Sequence, residues 1–442
     1  MNNHFNDVRV TPPWEGKGGG FFFLHIAWRE FRAIATSYPV LLVLVGGVFA
    51  YGLLYNYMYA PNVVREVPIA VVDHSHTALS RRYVRLLDAT PDVSVAYHAQ
   101  DMVEAKRLML SAEVYGILYL SRDFEERMLR GELSVYPFYA TTDAFLYYEA
   151  MERAGLEVME AMDGEYRTQL IGALSLGGLA AVATQSPVTV VGTTLYNPIE
   201  GYGVYLIPSV LMIIIFQTLM MLVAMTSNRK NETTRLISYK EMFMATRCQQ
   251  ASLREESRGR TRLAISIVCG KTLTYTVLYA IFALFLVGFL PLLFDIPHGA
   301  SWGALAVLLI PYILGTSFLG LALSRWYTDA EAPILLIAFF SIGLIFLSGV
   351  SYPLELIPWY WKVVHYLIPA APATLAYVQL SAMDATLHDV WPQLLALLVQ
   401  MIVYFVLAVI NVYRLTITDY RLTFNEDTRS VDENENFILG KR

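Results

Sequence analysis

Charged residues are scarce in this sequence. Asp, Glu, Lys and Arg make up 16% of its 442 residues and hydrophobic residues make up 56%, whereas a soluble domain averages about 25% charged and about 45–50% apolar. This shortage of charge means that much of the surface faces lipid. Lys and Arg (32) do not outnumber Asp and Glu (38), so the composition gives no support for a nucleic-acid partner.

Cysteine and signal-peptide features are also nearly absent. The two cysteines, Cys248 and Cys269, lie close together and far from residues 61–202, which excludes a disulfide framework in that segment. The N-terminus lacks the short apolar core and small-residue cleavage site of a signal peptide. We expect residues 1–21 to form a flexible cytoplasmic lead.

Long apolar stretches are what the sequence has instead. A helix needs roughly 20 apolar residues to cross a bilayer, and six stretches qualify: 38–59, 203–226, 268–292, 303–324, 332–350 and 392–413. Lys271, at the edge of the third, is their one Asp, Glu, Lys or Arg, and a mid-bilayer charge costs roughly 2.5–3.5 kcal/mol. The predicted fold class is a membrane all-α bundle of six transmembrane helices per chain, with an inserted extracytoplasmic α/β domain.

The distribution of Lys and Arg predicts the orientation. The 227–262 loop contains nine of them, the 293–302 loop contains none, and Lys362 is alone in 351–391. We therefore predict a multi-pass protein of the cytoplasmic (inner) membrane with both termini cytoplasmic, including the tail at 414–442. The 61–202 domain then lies outside.

Residues 61–202 alternate between strand and helix patterns, which favours an α/β sandwich. Strands are predicted at 67–73, 93–98, 115–120, 133–139 and 188–195, and the main helices at 78–88, 122–130 and 142–174. His74 and His76 suggest a metal site. Two imidazoles without further ligands do not make a specific one, so a solvated turn is the better interpretation and no metal site is predicted.

An amphipathic helix is predicted just before the first span, within residues 22–60. One stripe of it is apolar, and the neighbouring stripe contains His25, Arg29 and Arg32. This pattern is typical of a helix lying in the membrane interface. It could serve as an anchor, or its basic face could also bind a cytoplasmic partner.

The basic 227–262 loop has two interpretations. It could reflect membrane orientation and contact with anionic lipid, or a short helix near 237–245 could dock on a soluble partner. Gly270-Lys271-Thr272 resembles the end of a phosphate-binding loop, but Ile265 occupies the position of the first glycine. We find no nucleotide site in the sequence.

Prolines interrupt the segment after the fifth predicted span. Pro353, Pro358, Pro369 and Pro372 break its helical pattern. We interpret 352–380 as short re-entrant helices on the outer side, a structure tolerated at membrane depth only when packed against protein or lining a cavity.

This segment also resembles a known family. The run Phe346-Leu-Ser-Gly-Val-Ser-Tyr-Pro353, followed by Pro358-Trp359 and Pro369, resembles the signature after the fifth span of ABC-2-type permeases, the membrane subunits of type V-like ABC exporters. Val71-Val72-Asp73 with Ser75, then Ser121-Arg-Asp-Phe124 and Leu129-Arg-Gly131, resemble the outward domain of the multidrug-type branch. Gly270-Lys271 matches the start of the third span in that family. The resemblance covers residues 22–415, although the 227–262 loop departs from the family's usual Arg-Glu…Gly-Thr element.

The resemblance implies a transport subunit without enzymatic activity of its own. ATP and Mg would bind a separate cytoplasmic ATP-binding subunit, and this chain would hold no cofactor. A second permease (an identical or related chain) and membrane lipid are further implied partners, and a periplasmic adaptor is compatible with this branch. Candidate ATPase-coupling residues are His25, Arg29, Arg32, Ser238, Lys240 and Glu241.

An apolar or amphipathic substrate suits the Met- and Phe-rich spans, although lipid-facing packing requires the same residues. Candidate substrate-path residues are Met212, Phe216, Gln217, Met220 and Ser341. Helix–helix hydrogen bonding is the alternative role for Gln217.

Other classes fit less well. A proton-driven carrier would need ionisable groups within its spans, and an intramembrane protease would need paired Asp or a His-Glu-x-x-His motif. The alternative that stays open is a membrane-anchored sensor whose outward domain binds a ligand.

Overall fold

The computed structural model describes residues 22–59, 63–129, 138–140, 145–174, 202–228, 253–294, 296, 299–327 and 332–439. The chain divides into two compact units: a helical unit of residues 1–60 and 203–442, and a sheet unit of residues 61–202. The predicted lead at 1–21, most of the predicted loop at 227–262 and the predicted strand at 188–195 lie outside the described residues.

Two consecutive helices begin the helical unit. Helix α1 spans Phe22–Thr36, and α2 spans Tyr38–Met58 with a π-helical turn at Leu42–Gly47. Ser37 between them is extended and Pro39 follows in the first turn of α2. Proline fits the first turn of a helix but not its interior, so the sequence ends α1 and starts α2 at this point.

The sheet unit alternates strands and helices. Its elements are β1 (Val67–Asp73), α3 (Ala78–Asp88), β2 (Val93–His98), α4 (Met102–Leu110), β3 (Gly116–Leu120), α5 (Phe124–Leu129), β4 (Phe138–Ala140) and α6 (Phe145–Leu174). The first three strands lie where the sequence predicts them. The fourth is observed at Phe138–Ala140, while most of the predicted 133–139 segment lies outside the described residues.

The strands form one sheet in the order β2-β1-β3-β4. Strand β1 is parallel to β2 and β3, and β4 is antiparallel to β3. Side chains alternate along β1, so Ile69 and Val71 share a core with α3 and α6, whereas Ala70 and Val72 share a second core with α4. Helices therefore cover both faces of a small, mainly parallel sheet.

The turn after β1 accounts for the Asp73-His74-Ser75-His76 run. The Asp73 carboxylate accepts hydrogen bonds from the Ser75 amide (2.9 Å), the His76 amide (3.1 Å) and the Ser80 hydroxyl (2.6 Å). The His74 ring packs edge-on against Tyr119. Asp73 is thus used to shape the turn, and within the described ranges no group of three or more His, Cys, Asp or Glu side chains could hold a metal.

The rest of the helical unit consists of seven helices among the described residues. These are α7 (Tyr202–Thr226), α8 (Leu253–Ala283, continued through a π-helical turn at Leu284–Phe289 to Leu290–Leu293), α9 (Trp302–Leu323), α10 (Ala332–Leu347), α11 (Trp359–His365), α12 (Ala370–Ala382) and α13 (Trp391–Leu439).

Five of the described helices are long and apolar enough to cross a membrane: α2, α7, α8, α9 and the first half of α13. Helices α11 and α12 together provide a sixth candidate, but they are bent by 83° at their junction. The predicted fifth span, 332–350, appears as the 16-residue α10. At about 1.5 Å per residue it is about 24 Å long, and it ends before Gly349, whose φ of +86° leaves the helical region.

Helix α7 is the centre of the helical unit. Most of its candidate span is buried within the chain. The Tyr312 hydroxyl on α9 donates to the Met212 carbonyl (2.7 Å), and a Cβ at Gly320 on α9 would lie 2.8 Å from Val223. Helix α9 also pairs with α13, where the Asn411 amide donates to the Leu321 carbonyl (2.8 Å).

The bend between α11 and α12 is held by side chains of α13. Gln400 donates to the Tyr366 carbonyl (2.8 Å), and the Tyr404 hydroxyl donates to the Leu367 carbonyl. Both carbonyls lie in the interruption between the two helices, where they lack helical partners. Backbone carbonyls outside a helix need another donor when water cannot reach them, and α13 supplies those donors at the bend.

Candidate functional site

Helix α1 packs directly against α8. A Cβ at Gly270 of α8 would lie 2.6 Å from the Phe23 carbonyl oxygen and 2.8 Å from the Ile26 Cβ. Thr274, one turn further along α8, donates to the Ala27 carbonyl (2.8 Å). The absence of a side chain at Gly270 therefore allows the two helices to touch along their backbones.

The buried stripe of α1 contains an acidic residue. Ile26, Ala27, Glu30 and Ile34 are its buried residues, and Glu30 is 0% exposed. An isolated carboxylate in such a place is strongly disfavoured unless it is paired or hydrogen-bonded. The stability of Glu30 at this helix contact therefore depends on its hydrogen-bond partners.

Tyr275 of α8 is one of these partners. Its hydroxyl donates to Glu30 Oε1 at 2.7 Å and lies 2.9 Å from Thr226 Oγ1 and 3.2 Å from Ser227 Oγ. Because a carboxylate only accepts, the phenol proton points to Glu30. The Ser227 hydroxyl, which accepts from Lys271, can donate to the phenol oxygen. The Thr226 hydroxyl instead donates to the Leu222 carbonyl (2.9 Å). Thr226 and Ser227 lie at the C-terminal end of α7, so the phenol joins three helices.

Lys271 completes this polar network. Its side chain is 0% exposed, and its ammonium donates to Ser227 Oγ at 3.0 Å. The hydrogen bonds given above thus connect one acidic residue, one basic residue and three hydroxyls of the described part of the chain, contributed by α1, α7 and α8. We call Glu30, Thr226, Ser227, Lys271 and Tyr275 the junction network.

Loss of any one side chain of this network should destabilise the contacts among the three helices. Hydrogen bonds in a low-dielectric interior are strong, but an unpaired buried group there costs correspondingly more. Removing the hydrogen-bond partner of a buried group typically costs about 1–3 kcal/mol, and more when the group is charged. The intact network therefore fixes the positions of α1, α7 and α8 relative to one another.

The predicted coupling residues lie beside this network or outside the described residues. His25 and Arg29 are half-buried and Arg32 is exposed on α1, with the Arg32 guanidinium 5.9 Å from the centre of the Trp28 ring. Ser238, Lys240 and Glu241 belong to the undescribed 229–252 segment. The basic face of α1 therefore lies beside the buried stripe of the same helix, which packs against α8.

Sequence reasoning missed Glu30 and Tyr275 and treated Lys271 only as a charge at the edge of a span. A signal was present. Glu30 lies four residues after Ile26 and four before Ile34, which places it on an apolar helical stripe. A lone lysine within an apolar span also calls for a partner.

The predicted substrate-path residues are mostly buried within the single chain. Met212, Phe216 and Met220 lie in the core around α7, and Gln217 is half-buried. Ser341 is buried on α10, and its hydroxyl donates to the Ala338 carbonyl of the same helix. Their role in a substrate path stays a prediction.

Comparison with known proteins assigns most of the chain to one family. No curated protein matches it. Residues 30–410 match the family model described as ABC-2 family transporter protein. This match covers most of the sequence, so the chain belongs to the ABC-2 transporter family and is a multi-pass membrane permease component of an ABC transporter.

Proposed function

We propose that this ABC-2 family member is the membrane-spanning subunit of an ATP-driven exporter that moves an apolar or amphipathic substrate outward. Two such permeases, identical or related, pair with two cytoplasmic ATP-binding subunits that bind ATP and Mg. The family supports a permease with an ATP-binding partner component. The direction of transport, the class of substrate and the pairing of two permeases go beyond the family assignment and are proposed.

The proposed arrangement in the inner membrane follows the distribution of Lys and Arg. The basic 227–262 segment follows the end of α7, and its last ten residues belong to the start of α8, which begins at Leu253 and not after the predicted loop. These helix ends are on the cytoplasmic side together with α1 and both termini. The sheet unit is then periplasmic, where an adaptor would have access to it. The junction network lies at the cytoplasmic end, nearest to the ATP-binding subunits.

The observation that carries the coupling proposal is the junction network. Helix α1 presents Arg29 and Arg32 beside the stripe that contains Glu30, so a partner that pulls on its basic face also pulls on Glu30. The bonds from Glu30 to Tyr275, and from Tyr275 and Lys271 to the end of α7, carry that displacement into two spans. ATP can drive transport in this way if the two positions of α1 differ in affinity for nucleotide and substrate.

The first test is assembly. The chain is co-expressed with candidate ABC ATP-binding subunits of the same organism, purified, and analysed for a complex of two permeases and two ATP-binding subunits with vanadate-sensitive ATP hydrolysis. Such a complex supports the proposal. An intact, folded permease that binds no ATP-binding subunit contradicts it, and the sheet unit would then be examined as a ligand sensor.

The second test addresses coupling in the reconstituted complex. Tyr275→Phe removes the hydroxyl that bonds to Glu30, whereas Tyr377→Phe removes an equally buried hydroxyl that bonds to the Val287 carbonyl, outside the network and the candidate substrate path. We expect Tyr275→Phe to reduce ATP-dependent transport per ATP hydrolysed, measured in inside-out vesicles with a lipophilic dye, and Tyr377→Phe to preserve that ratio. An equal ratio in the two variants would remove the junction network from the coupling path.

A further inference from the structure

The junction between α11 and α12 contains a histidine in an unusual position. His365 is the last residue of α11 and is 0% exposed, although its neighbours Tyr366 and Leu367 are exposed. The ring lies between the bent helix pair and α10, because its Nδ1 is 2.7 Å from the Leu347 carbonyl oxygen at the end of α10. This bond connects the bent pair to the preceding helix.

The bond determines the protonation of the ring. A carbonyl oxygen can only accept, so Nδ1 must carry a proton and donate it. In a neutral ring Nε2 is then a bare lone pair, and this nitrogen is buried with no hydrogen-bond partner among the described residues. Protonation would place a charged N–H at this position with no acceptor, which is strongly disfavoured in a buried site.

The surrounding elements offer no compensating charge within the described residues. Helix α10 has no ionisable side chain. On α12 the ionisable group is Tyr377, which donates to the Val287 carbonyl, and on the facing turn of α13 it is Tyr404, which donates to the Leu367 carbonyl. The ring of Tyr366 packs edge-on against His365.

Charged groups near the bent pair are exposed or are bonded to other groups. Lys362, on α11 itself, donates to the Glu355 carbonyl, and the Glu355 side chain is exposed. In the loop after α12, Asp389 accepts two hydrogen bonds from Thr386, which lower the pKa of its carboxyl. His388 and Asp384 in the same loop are exposed.

We propose that His365 is a proton-sensitive latch: its neutral ring docks α11 and α12 against the end of α10, and its protonation releases them. Gln400 and Tyr404 hold the pair from the α13 side in either state. The latch lies at the opposite end of α8 from the junction network, because α12 bonds to Val287 whereas α1 bonds to Thr274. Acidification at that end of the bundle would therefore loosen the bent pair.

The sign and size of the effect follow from proton linkage. An undocked imidazole takes up a proton below about pH 6.5, whereas the docked ring does not, so docking is fully stable above that pH and weakens as the pH falls through it. For a docked ring that stays neutral, the docking constant should fall about tenfold from pH 7.5 to pH 5.5.

The test is hydrogen exchange of the full chain in lipid nanodiscs, followed by mass spectrometry of peptides covering 359–369. Wild type is compared with His365→Asn, whose side-chain amide can donate to Leu347 but does not titrate. Dividing the wild-type exchange rate by the His365→Asn rate at the same pH cancels the intrinsic exchange chemistry. We expect this ratio to rise about tenfold from pH 7.5 to 5.5, and a ratio that does not change with pH overturns the proposal.

Two controls keep the test decisive. His388→Asn removes the exposed histidine of the neighbouring loop and should retain the wild-type pH dependence; its loss would assign the effect to His388 and refute the latch. If His365→Asn fails to fold, wild-type exchange at 359–369 is compared with that of α9 after correction for intrinsic rates. The same tenfold relative rise is expected there, and parallel behaviour of the two segments would refute the latch.

Discussion

Removal of the Tyr275 hydroxyl should destabilise the helical unit more than removal of the Tyr312 hydroxyl. Both hydroxyls are fully buried, and each donates one hydrogen bond of 2.7 Å. Tyr275 bonds to the Glu30 carboxylate, whereas Tyr312 bonds to a neutral backbone carbonyl. Hydrogen bonds to charged groups contribute about 1.5–3 kcal/mol, but neutral bonds between transmembrane helices average about 0.6 kcal/mol.

These values predict a loss of about 2 kcal/mol for Tyr275→Phe and of about 1 kcal/mol or less for Tyr312→Phe. The free energy of unfolding would be measured by SDS titration of the full chain in bicelles, with circular dichroism as the signal. The two variants lose the same atoms from equally buried sites, so lost packing cancels in the comparison. Equal destabilisation would refute the view that Glu30 depends on Tyr275.

A double-mutant cycle with Glu30→Gln isolates the pair. If the two side chains interact as described, the cost of Tyr275→Phe should be smaller by about 1 kcal/mol or more in the Glu30→Gln variant than in wild type, because a neutral amide loses less when its donor is removed. Additive losses would mean that each residue is stabilised by other partners and that the network does not act through this bond.

Two further predictions concern helix packing and the sheet unit. Gly270→Ala should destabilise the helical unit by about 1–3 kcal/mol, because its Cβ would meet the Phe23 backbone; Gly343→Ala, with nothing within 4 Å of its Cβ, should be neutral or slightly stabilising in the same titration, and equal effects would exclude the close contact. Arg153→Met should lower the melting temperature of the sheet unit, because it leaves the buried Asp92 without its ion pair at 3.1 Å. Melting would be measured as the loss of hydrogen-exchange protection in β2 with rising temperature. Unchanged protection of β2 would show that this ion pair contributes nothing measurable.

The parts of the fold that sequence reasoning predicted are those encoded by local patterns. Strand β1 at Val67–Asp73 and helix α3 at Ala78–Asp88 were expected at those positions and are observed there. Each follows from a run of apolar or amphipathic residues bounded by turn residues. Long uncharged stretches likewise predict spans, because the cost of burying charge in lipid excludes most other interpretations.

The parts that could not be predicted depend on contacts between distant segments. Glu30 and Tyr275 are 245 residues apart, and neither position shows a pattern that names the other. The apolar run after residue 332 gives no sign that helix α10 ends at Leu347, because that end depends on the turn at Gly349 and on the packing of His365. The 83° bend likewise needs Gln400 of α13 to satisfy a carbonyl.

The chemistry of these long-range contacts separates two roles within the bundle. Tyr312, Asn411 and Gln400 each bind a backbone carbonyl with a neutral donor, and such bonds contribute little individually. At the junction network, by contrast, Glu30 and Lys271 are both fully buried, and each depends on partners from other helices. Partial breakage there leaves a buried charge exposed to an apolar surrounding, so the favourable states are those in which α1, α7 and α8 keep their contacts and move together. Concerted movement of this kind is what the proposed coupling role requires, and it is the physical reason for proposing energy transmission at this junction rather than in the neutral core around α7.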